Sequence, residues 1–293
     1  MRTCFGIPAG LIFSIAAFGQ HLVVTAEGRH GSTPPELSRD DVSAELNHKA
    51  APISDWVPLR GDQASLELYI VIDDGADADL GNQFESLKTF VNGQPATARI
   101  GLAYLRNGGA NIASALTTDR AQFGKALRLP LAQPGIAASP YMGISDLIRK
   151  WPAADARREV LLIGSGSDPW SPADPQNIYL EKAIADAQRA GVLVNSIYYA
   201  SAGHAGHSYW LVNWGQNYLS RLGDETGGEA YWQGLNSPVS LIPYLKDLTE
   251  RLQNQYLVTL SVAKVNADLE PVRITASRAG VSLVSASKIH LQK

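Results

Sequence analysis

The chain has 293 residues, 45% of them hydrophobic and 18% charged, which suits one large globular domain with an appendage. A formal charge of −3 and an isoelectric point near 6.1 leave no electrostatic footprint for nucleic acid. No basic run addresses an anionic membrane surface either.

Arg2 precedes an apolar segment, Gly6 to Phe18, that is short for a bilayer span but suits the core of a signal peptide. Small residues suited to cleavage occur at Ala17-Phe18-Gly19 and at Val24-Thr25-Ala26. Residues 1–26 are therefore expected to be a signal peptide, with an uncleaved anchor or a buried N-terminal strand as the alternative. The lone cysteine, Cys4, lies ahead of the apolar core, so the mature chain would carry no thiol or disulfide and no integral membrane span. Residues 27–59 are rich in Gly, Ser, Pro, His and charge and read as a linker with little core of its own.

Leu66 to Ile72 is an almost continuous apolar run of β-formers, suited to a strand buried on both faces. It stops at Asp73-Asp74-Gly75-Ala76-Asp77, after which Leu80, Phe84, Leu87, Phe90 and Val91 recur at helical spacing. Ala98 to Leu105 reads as a second strand, Asn107-Gly108-Gly109 as a hairpin turn, and Ala110 to Leu116 as the returning antiparallel strand. Asp119 caps a short helix, and Ser139-Pro140 opens another that ends at Trp151-Pro152.

Val160 to Ile163 is the next buried strand and runs into the small-residue loop Gly164-Ser165-Gly166-Ser167-Asp168. Asn177 to Ala190 reads as a helix stopped by Gly191, and Val192 to Tyr199 as a strand. After a Gly-, Ala- and His-rich loop come a helix from about Leu211, a short strand Glu229 to Trp232, and a last helix started by Ser237-Pro238. The tail, 255–293, offers three strands without intervening helices and reads as a small C-terminal antiparallel β appendage. Strand–helix alternation over 60–254 predicts an α/β domain: a doubly wound, mostly parallel sheet with helices on both faces. Ligands of such sheets bind at the carboxyl ends of the strands.

The order of these elements resembles a von Willebrand factor A-type domain, and the tail is similar to strands that follow it in secreted, acidobacterial-type members. The residues that carry the likeness are Val71-Ile72-Asp73, the Asn107-Gly108-Gly109 hairpin, Leu161 to Asp168, and Leu222 to Trp232 (LGDETGGEAYW). The resemblance implies that the first and fourth strands are neighbours at the topological switch point. It also implies a metal-ion-dependent adhesion site there, built from Asp-x-Ser-x-Ser, a Thr and a late Asp.

This chain matches that pattern only at Asp73, with Gly75 and Asp77 replacing the two serines and Ser139 standing in for the Thr. Ser165 falls where the late Asp belongs, and Asp168 lies three residues further on. A degenerate site of Asp73, Asp77 and Ser139, with Ser165 and Asp168 nearby, could take Mg²⁺ or Ca²⁺. The competing reading is a solvated acidic loop that supplies turn geometry and a helix cap.

Gly164-Ser165-Gly166 fits neither a dinucleotide fingerprint nor a nucleophile elbow, and close approach of a tight turn explains its glycines better. His204 and His207 lie in a flexible-looking loop without a carboxylate or cysteine to complete a zinc site. Among Tyr198, Tyr199, Tyr209, Trp210, Trp214 and Tyr218, the pair Tyr209 and Trp210 is the expected partner-contacting patch. The expectation is an exported, secreted or periplasmic bacterial protein of non-enzymatic adhesion type that holds a protein or peptide partner at the strand-end rim. The alternatives are an envelope scaffold without an ion and, behind it, a secreted hydrolase, for which no usable constellation of residues is visible.

Overall fold

The computed structural model describes residues 18–61, 65–132, 138–152, 156–262 and 268–291. The chain opens with four strands: β1 (Phe18–Gly28), β2 (Val42–Leu46), β3 (Lys49–Ala51) and β4 (Ile53–Pro58). The α/β unit follows with β5 (Leu66–Asp73), α1 (Phe84–Asn92), β6 (Arg99–Arg106), β7 (Gly109–Thr117), α2 (Arg120–Ala126) and α3 (Pro140–Lys150). It continues through β8 (Arg157–Gly164), α4 (Ile178–Ala190), β9 (Val192–Tyr198), α5 (Tyr209–Thr226), β10 (Ala230–Tyr231) and α6 (Ile242–Gln253). The chain closes with β11 (Gln255–Val262), β12 (Leu269–Ala276), β13 (Val281–Ser285) and β14 (Lys288–His290).

The central sheet has the order β10-β9-β8-β5-β6-β7. All its pairings are parallel except β6 with β7, the hairpin expected at the edge. Apolar residues on alternate sides of β5 explain why helices cover both faces. Tyr69 and Val71 pack towards α3, α4 and α5, whereas Leu68, Ile70 and Ile72 pack towards α1, α2 and α6. Full burial of such side chains contributes roughly 1.5–3 kcal/mol each.

Helix ends follow the local signals. Pro140 occupies the first turn of α3, Asn177 caps two N–H groups at the start of α4, and Gly191 ends that helix in the left-handed region. The last helix begins at Ile242 rather than at Ser237-Pro238. The intervening segment runs over the rim, where Gln83 binds both the Val239 carbonyl and the Leu241 N–H.

The larger departure from the sequence expectation is at the chain's two ends. Residues 27–59 are not a linker without core: Leu37, Ala44, Ile53, Trp56 and Leu59 are buried. The tail is not an appendage on its own, because its strands interleave with those of the N-terminal segment. One sheet runs β13-β1-β11-β4 and the other β14-β12-β2-β3, and their inner faces share one core that includes Val24, Trp56, Tyr256, Val258 and Ile274.

Val281 to His290 also divides into two strands, one in each sheet. The α/β unit is thus inserted into a β-sandwich. Its entry and exit lie side by side, with the Leu59 N–H bonded to the Gln255 carbonyl at 2.9 Å. Of the proposed leader, residues 1–17 lie outside the described set, and Phe18–Gly28 forms a strand with β11 and β13 on either side.

Candidate functional site at the strand-end rim

Four loops meet above the carboxyl ends of β5, β6, β8 and β9. β5 and β8 are parallel neighbours, with Ile72 opposite Ile163, so Asp73 and Gly164 leave the sheet together. A Cβ on Gly164 would lie only 2.7 Å from the Asp73 Cβ. Gly166 has φ +66°, and a Cβ there would lie 2.4 Å from the Gly215 carbonyl oxygen. The glycines of this loop are therefore explained by close approach, here to the neighbouring strand end and to α5.

Asp73 is partly buried, and its Oδ1 accepts the Gly75 N–H at 2.9 Å. Burial pushes its carboxyl up to about 6 from an ordinary 3.8, with the Gly75 bond opposing and Asp74 adding to the rise. Asp74 is buried and accepts two hydrogen bonds from the Arg128 guanidinium, at 2.6 and 2.7 Å. That guanidinium also lies over the Tyr104 ring at 3.8 Å.

Asp77 caps the following 3-10 helix by accepting the Asp79 N–H at 3.0 Å. Its own N–H binds the Ala200 carbonyl, tying this loop to the one after β9. Ser139 and Asp168 are both buried, and the Ser139 hydroxyl donates to Asp168 Oδ2 at 2.6 Å. Asp168 also accepts from the Asn177 amide at 2.9 Å and from the Trp170 N–H at 2.9 Å. Ser165 accepts from the Ser201 hydroxyl at 2.8 Å, and the Tyr141 hydroxyl donates to the Gly166 carbonyl at 2.6 Å.

Of the sequence-nominated residues, Ser139 and Asp168 are thus in direct contact. Asp77 is engaged with its own helix, and Ser165 faces Ser201. The donor set does not suit a divalent cation. Such an ion requires several free oxygens around one centre. Here Gly75 contributes no side-chain oxygen, Asp74 is paired with Arg128, Asp77 is a cap, and Asp168 accepts three hydrogen bonds. Among the described residues no group of three or more His, Cys, Asp or Glu converges in a metal-binding arrangement. His207 is exposed, and the side chain of His204 lies outside the described set.

The adjacency of β5 and β8, the first and fourth strands of the unit, is the arrangement the sequence resemblance requires, with β7 the antiparallel edge strand. The α/β unit has a von Willebrand factor A-type fold. No protein-family model matches the chain, and no curated protein does.

Among solved structures, an aerotolerance-related membrane protein from Bacteroides fragilis aligns at 13% identity and TM-score 0.44, covering 64% of this chain and 98% of that one. The VWA domain of SpRpn10 aligns at 14% identity and TM-score 0.40, over 61% of this chain and 93% of that one. The ArnB paralog VWA2 from Sulfolobus acidocaldarius aligns at 10% identity and TM-score 0.41, over 92% and 76%. At these scores the likeness is one of outline, and the strand order is what assigns the von Willebrand factor A-type fold.

The rim of this von Willebrand factor A-type unit is apolar as well as acidic. Tyr209 and Trp210, at the first turn of α5, are 68% and 53% exposed. Tyr198, Tyr199 and Tyr218, by contrast, are buried in the core. Sequence reading missed the company these two keep. Apart from Ile112 on the edge strand β7, the exposed large apolar side chains of the described residues all lie in rim loops or first helical turns. They include Leu129, Trp170, Ile178, Trp232, Val239 and Ile242. A signal was present in the sequence: all of these but Leu129, which lies between α2 and α3, fall in the segments between a strand's end and the first full turn of the next helix, where an apolar side chain has no partner face.

Proposed function

We propose that the chain is an exported, non-enzymatic protein-binding module that takes a protein or peptide partner on the rim of its central sheet, without an ion. The observation that carries this reading is the gathering of exposed aromatic and aliphatic side chains at one end of the sheet, with Tyr209 and Trp210 at 68% and 53% exposure. Exposed apolar side chains gathered at one end of a fold mark interaction sites, and Tyr and Trp supply large contact area at low entropic cost. Engagement of the rim carboxylates by Arg128, Ser139, Asn177 and backbone N–H groups supports ion-independent recognition.

Export rests on the N-terminal apolar segment. Among the described residues no helix is long and apolar enough to cross a membrane. The test is capture of partners from a cell-envelope extract by the full mature chain, run with EDTA and with added Mg²⁺ or Ca²⁺. A specific partner that survives EDTA and is lost on Tyr209→Ala/Trp210→Ala supports the reading. A partner retained only with the cation, or unaffected by the double variant, rejects it.

A further inference from the structure

The rim of the central sheet carries an excess of one charge. The segments Asp73 to Gln83, Gly164 to Asn177, Tyr199 to Ser208 and Trp232 to Leu241 leave the carboxyl ends of β5, β8, β9 and β10. They hold Asp73, Asp74, Asp77, Asp79, Asp168 and Asp174 and no lysine or arginine. Two cations stand beside them. Arg128 is held by Asp74, and Arg106 is exposed at the β6–β7 hairpin.

Among the described residues, the only ion pair these six carboxylates make is that of Asp74 with Arg128. Asp168 is buried among its three hydrogen-bond donors. The other four have no cation, and Asp79 and Asp174 are exposed while Asp73 and Asp77 are half-buried. Like charges gathered without counter-charge repel one another and set up a local field that favours a cation.

These carboxylates stand next to the aromatic side chains of the rim. The Asp77 N–H binds the Ala200 carbonyl at 2.9 Å and the Ala202 N–H binds the Gly75 carbonyl at 3.0 Å. The acidic loop after β5 is thereby laced to the segment that leads into α5, whose first turn bears Tyr209 and Trp210. Burial raises the Tyr199 hydroxyl, and Asp79 and Asp77 beside it raise it further. The loop after β8, with Trp170 and Asp174, packs along the same helix. There the Ser167 hydroxyl donates to the Leu211 carbonyl at 3.3 Å, and the Asp174 N–H to the Tyr218 hydroxyl at 2.8 Å.

We propose that the partner segment taken by this rim is cationic, with lysine or arginine side chains set among apolar ones. The inference rests on the rim being the partner surface and narrows what it takes. Cationic heads meet Asp77, Asp79 and Asp174, while their stems and the apolar side chains cover Tyr209, Trp210 and Trp170. A cation over an exposed Tyr or Trp face gains further attraction. The same carboxylates repel an acidic segment, a nucleic acid and an anionic lipid surface, so charge selects the partner as well as holding it.

The probe is a rhodamine-labelled peptide of about ten residues repeating leucine, serine and lysine. It is titrated with the full mature chain at pH 8, where histidine carries little charge, and read by anisotropy. Peptides with glutamine or glutamate in place of lysine are the controls. Saturable binding of the lysine peptide is expected, about tenfold tighter than the glutamine peptide and weakened by salt, with little binding of the glutamate peptide.

Asp77→Asn/Asp79→Asn/Asp174→Asn keeps the oxygens that accept the Asp79 and Gln176 N–H groups, so the loops retain their turns. It should weaken the lysine peptide about tenfold and leave the glutamine peptide unchanged. Asp79→Lys alters one exposed side chain that caps nothing, and so gives the same test if the triple variant fails to fold. Tyr209→Ala/Trp210→Ala should weaken both peptides.

Equal affinity for the lysine and glutamine peptides, or carboxylate variants that bind like the parent, overturns the inference and leaves the apolar rim as a partner surface. Lysine-peptide binding that Tyr209→Ala/Trp210→Ala leaves unchanged overturns both. Absence of saturable binding overturns the inference, and the envelope capture, which does not depend on the partner's charge, then decides the rim. Binding to vesicles of phosphatidylglycerol and phosphatidylethanolamine in place of the peptide overturns it in favour of a lipid surface.

Discussion

Ser139 donates a 2.6 Å hydrogen bond to Asp168, and both side chains are buried beneath the rim. The bond joins the start of α3 to the loop after β8 across 29 residues of sequence. Asn177, the cap of α4, binds the same carboxyl oxygen. The two helices on this face therefore begin from one shared acceptor, which fixes how the rim loops sit above the sheet.

Ser139→Ala should consequently destabilise the fold without unfolding it. Asp168 keeps its bonds from Asn177 and the Trp170 N–H, so the expected loss is about 1–3 kcal/mol, the range for removing one partner of a buried polar group. Urea melts of parent, Ser139→Ala and Ser139→Thr measure it. Ser139→Thr should recover most of the loss, and parity of the alanine variant with the parent would mean that the contact carries no stability.

The α/β unit was legible in the sequence, and the sandwich around it was not. β5 announces itself as an unbroken apolar run because both its faces are buried, and α4 is bracketed by a cap at Asn177 and a stop at Gly191. These signals are local. The strands of the sandwich find their partners some 200 residues away: Trp56 pairs with Val258, and Val24 with Tyr256.

β2, β3 and β4 bury too few side chains to show a period, and β1, which buries Leu22 to Ala26, follows directly on the apolar segment at the N-terminus and merges with it in the sequence. The same limit hid the Asp74–Arg128 pair, 54 residues apart, and the partnership of Ser139 with Asp168. In the sequence Asp168 stands only three residues beyond the expected ligand position, whereas in the fold its carboxyl holds the starts of two helices.

Asp73 predicts a pH dependence of stability with a definite sign. Burial raises its carboxyl from 3.8 to about 6 in the folded chain. The folded state then holds a proton that the unfolded state releases between about pH 4 and 6. Stability from this group is full below that window and is lost as pH rises through it.

Asp73→Asn keeps an acceptor for the Gly75 N–H and removes the ionisation. It should stabilise the chain at pH 7.5 by at most about 3 kcal/mol and leave it unchanged near pH 4. Burial raises the Glu159 carboxyl as well, so a residual slope of the same sign remains and the comparison is with the parent. Thermal melts at pH 4 to 8 decide it. A variant less stable than the parent at pH 7.5 would show that a charged Asp73 is held by something, such as a cation, that these contacts do not include.

If the proposed export proceeds by removal of an N-terminal leader, β1 restricts where the cut can fall. Cleavage after Ala26 would remove Leu22 and Val24 from the sandwich core, together with the ladder from Phe18 to Thr25 that pairs with β11. Cleavage after Gly19 leaves nearly all of that strand in place. Under the proposed export, the mature chain should therefore begin at Gln20, which terminal sequencing reads directly. A chain beginning at Glu27 that is nonetheless folded would show that β1 is dispensable.

Insertion of one folded unit into another sets the final expectation. Entry and exit of the α/β unit are joined by the Leu59 N–H to Gln255 carbonyl bond at 2.9 Å, and Pro58 lies opposite Tyr256 in the β4–β11 ladder. Replacing residues 60–254 by a short Gly/Ser turn should close β4 onto β11 as a hairpin without stretching either strand.

The cost lies at the shared face. There Arg157 donates to the Leu252 carbonyl at 2.7 Å and to Gln255 Oε1 at 2.5 Å, and Glu159 accepts from Gln255 at 2.6 Å. Deletion leaves Gln255 facing water, which solvates an amide readily, so the sandwich should fold with a cooperative melt, at a lower temperature than the parent. The reciprocal piece, residues 60–254 alone, keeps Arg157 and Glu159 but loses Gln255 between them. Glu159 keeps its bond from Asn195 but loses the Gln255 amide, so this piece should also melt below the parent, and Glu159→Gln should restore part of its stability. Urea titrations of both pieces give the order. A sandwich that stays unfolded while the α/β unit melts like the parent would reverse the assignment of which unit supports the other.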